Sequence, residues 1–168
     1  MFTGFEKGKI MKVKGVMTKD VRTCGLDSDL STVAKEMWMR NCGVIPVLEK
    51  GQVIGVMTDR DICIAAGCKN QVPAAITVGE VMTRKLYSCR PDADIREALE
   101  TMREKQVRRL PVIDAKGKLC GILSLNDVAI KAREAANPAE VSAEDIEQTL
   151  EAICRHRWVA QEEPRAAA

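Results

Sequence analysis

Thr58 and Asp61 stand three residues apart in Gly55-Val56-Met57-Thr58-Asp59-Arg60-Asp61. Ser124 and Asp127 repeat that spacing in Gly121-Ile122-Leu123-Ser124-Leu125-Asn126-Asp127. Both stretches read glycine, two apolar residues, a hydroxyl residue, two further residues and an aspartate. Where a strand hands over to a helix, this spacing turns hydroxyl and carboxylate toward one spot. The carboxylate can accept from both hydroxyls of a ribose. The hydroxyl and nearby helix N-terminal N–H groups can donate to an anion such as phosphate. The same pair can equally cap its helix, the aspartate supporting the first turn.

Such a pair needs a strand ahead of it and a helix behind. Residues 53–57 form the return strand of a hairpin whose first strand is 44–48, with Pro46 near its start and the turn at 49–52. A short helix over 59–66 follows, with Gly67 at its end. Upstream, residues 21–24 are extended, and Asp27-Ser28-Asp29 supplies turn and N-cap chemistry. Leu30, Val33, Ala34 and Met37 then make the apolar stripe of an amphipathic helix, closed by Gly43.

The whole pattern returns. A shift of 65 places Val16-Met17-Thr18 on Val81-Met82-Thr83, Cys24 on Cys89, Met37 on Met102 and Pro46-Val47 on Pro111-Val112. The stripe recurs as Ile95, Ala98, Leu99 and Met102. The second hairpin turn, residues 114–118, is one residue longer, so Gly55, Thr58 and Asp61 match Gly121, Ser124 and Asp127 at a shift of 66. An insertion confined to a turn is the mark of a true repeat. The divisions are a tail (1–15), a first repeat (16–66), a linker (67–80), a second repeat (81–136) and a C-terminal region (137–168). In the tail, Phe2 and Phe5 are candidates to dock on the body. In the last region Ser142 caps, Asp145 sits at N3, and Ile146, Leu150 and Ile153 form one apolar face of a helix over 141–158 that packs on the body. Residues 161–168 look frayed.

Composition narrows the function classes. Of 168 residues, 46% are hydrophobic but only 3% aromatic, so the interior is aliphatic and methionine, and a base-stacking surface is unexpected. A net charge of +2 gives no field toward DNA or membrane. No apolar run nears 18 residues, and residues 1–11 lack a signal-peptide core, which points to the cytoplasm. The cysteines at 24, 42, 63, 68, 89, 120 and 154 contain no C-x-x-C pair and read as reduced thiols. Cys154 and His156 are two apart on a helix and point away from each other, so no metal site is expected. No nucleophile and base stand together, which speaks against an enzyme.

A duplicated β-α-β-β-α unit with V-M-T at its head, a Pro-Val strand and G-h-h-[ST]-x-x-D at its close resembles the CBS domain, over residues 16–130. Two in tandem look like a CBS pair, or Bateman module. The resemblance implies an α/β (α+β) fold of two repeats packed with pseudo-two-fold symmetry, plus the C-terminal helix. It further implies a non-catalytic regulatory module with no required cofactor, an effector protein, and an adenosyl ligand held between the repeats: AMP, ADP or ATP, or alternatively S-adenosylmethionine. One site would use Ile122, Ser124 and Asp127 with Thr18, Val21, Cys42, Gly43 and Val44. The other would use Val56, Thr58 and Asp61 with Thr83, Leu86, Val107 and Arg108. Arg108 and Arg109 replace Gly43 and Val44 of the first repeat and suit phosphate; Lys19 and Arg22 could add charge near the same cleft. Nucleic-acid or protein binding is the remaining alternative for the family, the former disfavoured by charge and composition. Outward apolar residues on the helices, among them Trp38, Met39, Ile62, Ile64 and Ala65, predict a homodimer.

Overall fold

The computed structural model describes residues 11–134 and 141–155. The docking of Phe2 and Phe5, His156, and the frayed end fall outside these residues. Each half holds an antiparallel hairpin and two flanking helices. The first has α1 (Leu30–Arg40), β1 (Val44–Glu49), β2 (Gln52–Thr58) and α2 (Asp59–Cys68). After a one-turn helix, α3 (Val78–Val81), the second has α4 (Ile95–Lys105), β3 (Arg109–Ile113), β4 (Leu119–Ser124) and α5 (Leu125–Glu134). A last helix, α6 (Ala143–Cys154), follows. The fold is the mixed α/β duplication with a C-terminal helix that the repeats predict.

Helix starts follow the sequence signals. Asp29 and Asp94 accept from backbone N–H groups of the first turns of α1 and α4. The ends differ from expectation. Asn41 (φ 48°) and Gln106 (φ 53°), not Gly43, close α1 and α4 in the left-handed conformation. This places the close of α1 two residues earlier than Gly43, which instead forms a bend leading into β1 at Val44. Gly67 lies within α2, which continues to Cys68, since nothing downstream terminates it sooner. The first hairpin turns on Lys50 and Gly51, both at positive φ, the combination a two-residue turn requires.

The β segment at the head of each repeat is shorter than predicted. Cys24 makes a single parallel bridge to Val47, and Cys89 a single one to Val112. The opposite edge of each hairpin is met from the other half. Thr83 bridges Val56 on β2, and Thr18 bridges Ile122 on β4. The heads therefore cross over. Val13 is fully buried among Ile95, Leu99, Met102 and Leu123 of the second half, with Val16 and Met17 against the same core. Ile76, Val78 and Met82 are buried among Leu30, Val33, Ile45 and Met57 of the first half. Residue 13, assigned to the tail, and residues 76 and 78, assigned to the linker, are thus core. Burying each such side chain contributes about 1.5–3 kcal/mol.

Backbone bonds repeat the crossing: Ile95 N–H donates to Met11 O and Leu30 N–H to Ile76 O, both at 3.0 Å. Gly55 and Gly121 make room for it. A Cβ on Gly55 would stand 2.5 Å from Thr83 O, and one on Gly121 the same distance from Thr18 O. The opening glycine of the repeated motif is there for this approach.

Helix α6 lies on α4 and α5. Ser142 and Asp145 form the predicted capping box. Its buried face is Thr149 with Ile146 and Ile153, whereas Leu150 is 48% exposed, because Thr149 turns its hydroxyl to Asp145 O and meets Arg103 Nη1. Ala65 and Ile62, expected outside, pack inward on the first core; Trp38 (86%), Met39 and Ile64 are exposed.

Candidate functional site

The crossing produces two clefts of about 350 and 380 Å³. Each lies where the closing strand of one half meets the head segment of the other. In the first, Thr18 and Val21 descend from the first head, and Cys42 and Val44 come from the approach to β1. Ile122, Ser124 and Asp127 face them from β4 and α5. In the second, Thr83 and Leu86 face Val56 and Thr58, with Val107 and Arg108 from the approach to β3.

Four predicted positions differ. Val44, expected on the first cleft alone, lines both. Gly43 lies on the second cleft, not the first, at a bend between Asn41 and β1. Asp61 does not line the second cleft, although its counterpart Asp127 lines the first. Arg109 lines both clefts, where Arg108 lines one. Of the two cations considered near the arginine pair, Arg22 lines the first cleft and Lys19 neither.

The hydroxyl–aspartate pairs are capping boxes. Asp127 Oδ2 accepts from Ser124 N–H at 3.0 Å and from Ser124 Oγ at 2.7 Å, while Asp127 N–H donates to Ser124 Oγ at 3.1 Å. Thr58 and Asp61 repeat these bonds at 2.9, 2.8 and 3.1 Å. Capping and ligand binding are compatible. The cap uses one carboxylate oxygen, and it holds the side chain at the helix N-terminus, where backbone N–H groups also point outward.

The cleft walls differ in charge. Arg22 pairs with Glu36 at 3.6 Å and Arg40 with Asp20 at 3.1 Å beside the first cleft. Around the second, Lys85 lies 5.7 Å from the centre of the Tyr87 ring, and Arg60 replaces the pseudo-equivalent Asn126. Asp20, Arg40, Asn126, Arg60, Lys85 and Tyr87 were not among the predicted residues. The signal for two of them was present: Asn126 and Arg60 occupy the second variable place of the repeated motif. Among the described residues no three His, Cys, Asp or Glu side chains gather as metal ligands, and no helix is long and apolar enough to cross a membrane.

Comparison with known proteins gives the arrangement its relatives. The chain is 38% identical over 121 residues to the CBS domain-containing protein YhcV of Bacillus subtilis, spanning 70% of this chain and 83% of that one. Its fold matches CBSX2 in complex with AMP at a TM-score of 0.63 and 24% identity, over 73% of this chain and 96% of that one. It also matches the CBS domain pair of protein MJ0100 in complex with 5′-methylthioadenosine and S-adenosyl-L-methionine, at a TM-score of 0.68 and 22% identity, over 75% and 98% of the two chains. The CBS domain family model matches residues 13–67 and again 78–133, taking in both crossed heads. With two matches in tandem built around one pair of clefts, this chain belongs to the CBS domain family and carries a CBS pair.

Proposed function

We propose that the protein is a non-catalytic regulatory module that binds an adenosine phosphate, AMP, ADP or ATP, between its repeats. One observation carries the reading: in each cleft the end of a closing strand faces the head segment of the opposite half. A ligand there touches both halves at once, and its binding free energy acts on how they sit together. A carboxylate fixed by two bonds from its own cap residue suits acceptance from a ribose better than proton relay. Arg108 and Arg109 favour phosphates, and a sulfonium cation gains nothing from them. S-adenosylmethionine is therefore the second choice, supported by its presence in the complex of the MJ0100 CBS domain pair. The cysteine thiols fit a reducing cytoplasm, and the regulatory output would pass to an effector protein.

Native mass spectrometry of the purified protein, followed by denaturation, tests the ligand. An adenosine phosphate retained by the folded chain supports the reading. Titration calorimetry that finds no binding of AMP, ADP or ATP overturns it.

A further inference from the structure

We propose that Arg109 is one guanidinium shared by both clefts, so that two phosphorylated nucleotides bind with negative coupling. The inference rests on the reading of the clefts as adenosine phosphate sites and adds how the two communicate.

Arg109 opens β3 and lines both clefts. Its counterpart in the other half, at a shift of 65, is Val44, which also lines both. Positions 44 and 109 are therefore where the two clefts adjoin, and only one of them carries charge. The remaining arginines divide unequally. Arg22 and Arg40 of the first cleft already hold Glu36 and Asp20. Among the described residues no carboxylate lies within ion-pair distance of Arg109, nor of Arg60 and Arg108 on the second cleft. The second cleft thus has two uncommitted guanidinium groups of its own, and the first depends on Arg109.

A guanidinium is planar and donates its N–H groups as a fixed fork, so a bidentate bond to one phosphate turns the fork away from the other cleft. A phosphate in the second cleft withdraws Arg109 from the first, and by linkage the reverse holds equally. Adenosine has no phosphate to compete for it. Direct repulsion between two phosphates would also oppose double occupancy, but that effect grows when Arg109 is neutral, whereas sharing disappears.

The test is calorimetry on the full chain with ADP and with adenosine, in four proteins: wild type, Arg109→Gln, Val107→Trp, which fills the second cleft, and the double variant. Leu86→Trp serves as an alternative filler, and circular dichroism checks that each variant is folded. Sharing predicts that closing the second cleft tightens ADP binding in the first by about five-fold or more, within the usual span of coupling between sites. It predicts a smaller gain in the Arg109→Gln background than in wild type, and none with adenosine in either. Two molecules of ADP that bind without influence on each other overturn the sharing alone. So does coupling as large in Arg109→Gln as in wild type, or larger, which is what direct repulsion alone would give. A wild type that takes up neither ADP nor adenosine overturns the nucleotide reading, and the sharing with it.

Discussion

Thr18 and Ile122 exchange both backbone hydrogen bonds, 2.9 Å in each direction, joining the head of the first repeat to the closing strand of the second. Val56 and Thr83 do the same at 3.0 and 3.1 Å in the other half. These pairs run beside Gly121 and Gly55, where a methyl group would strike a backbone oxygen. Gly121→Ala and Gly55→Ala should each lower stability by about 1–3 kcal/mol, the usual range for forced overpacking. Urea unfolding measures this, and an unchanged midpoint for both would mean that the heads can be seated without close approach.

Asp127→Asn separates the cap from the site. The amide oxygen can still accept from Ser124 N–H and Oγ, so thermal stability should change little. The remaining carboxylate oxygen becomes an N–H donor where a ribose needs an acceptor. Affinity for AMP should fall by about 1–3 kcal/mol, the cost of a buried polar group left unpaired. Ser124→Ala should in addition lower stability by about 1 kcal/mol through the lost cap. Paired calorimetry and melting curves check both.

Arg108→Ala should reduce AMP affinity by roughly 1.5–3 kcal/mol, the range for a charge-assisted hydrogen bond, and leave adenosine affinity unchanged. Wild type should accordingly prefer AMP to adenosine and to S-adenosylmethionine. Equal affinities for AMP and adenosine would contradict the role assigned to the arginines.

Acid should weaken the module. Lys69, bonded to Glu80 at 2.8 Å, and the Thr77 N–H and hydroxyl hold the Glu80 carboxyl down to about 2. Asp29, Asp114 and Asp145 are also held below the ordinary carboxylate range, chiefly by hydrogen bonds from Thr32, Lys118 and Ser142. A lowered carboxylate pKa means that the unfolded chain binds more protons, so this stability is present above about pH 4.5 and is lost as pH falls toward 2. Melting temperature should drop across that window, and Glu80→Gln should flatten the drop.

Among the described residues Trp38, Met39 and Ile64 are exposed on α1 and α2, whereas α6 packs on α4 and α5. We infer an isologous dimer through α1 and α2. Light scattering at micromolar concentration should give about twice the 18.5 kDa chain mass. A monomer with and without nucleotide would exclude it.

Much of this was legible in the residue order. Leu30, Val33 and Met37, and Ile95, Ala98, Leu99 and Met102, are buried as their spacing requires, and the extra turn residue falls where the shift changes. Periodicity alone does not show the crossing, although the family resemblance sets Thr18 with Ser124 and Thr83 with Thr58, as the two clefts do. Periodicity marks Met17 and Met82 as apolar but does not say which of two similar cores receives them. The shared position of Arg109 follows from the same crossing, so a sequence reading that treats each repeat alone assigns it to one cleft. Leu150 misled because Thr149 satisfies its hydroxyl within its own helix and can be buried at little cost.

The exchanged heads also bear on the order in which the chain can mature. When the first hairpin and its helices emerge from the ribosome, one wall of their interior is still unsynthesised, since Ile76, Val78 and Met82 come later. The segment from Met11 to Met17, made first, has no seat until Leu123 and Leu125 exist. Neither half of the polypeptide is a complete folding unit, and a break between Cys68 and Pro73 should leave two fragments that need each other to become native.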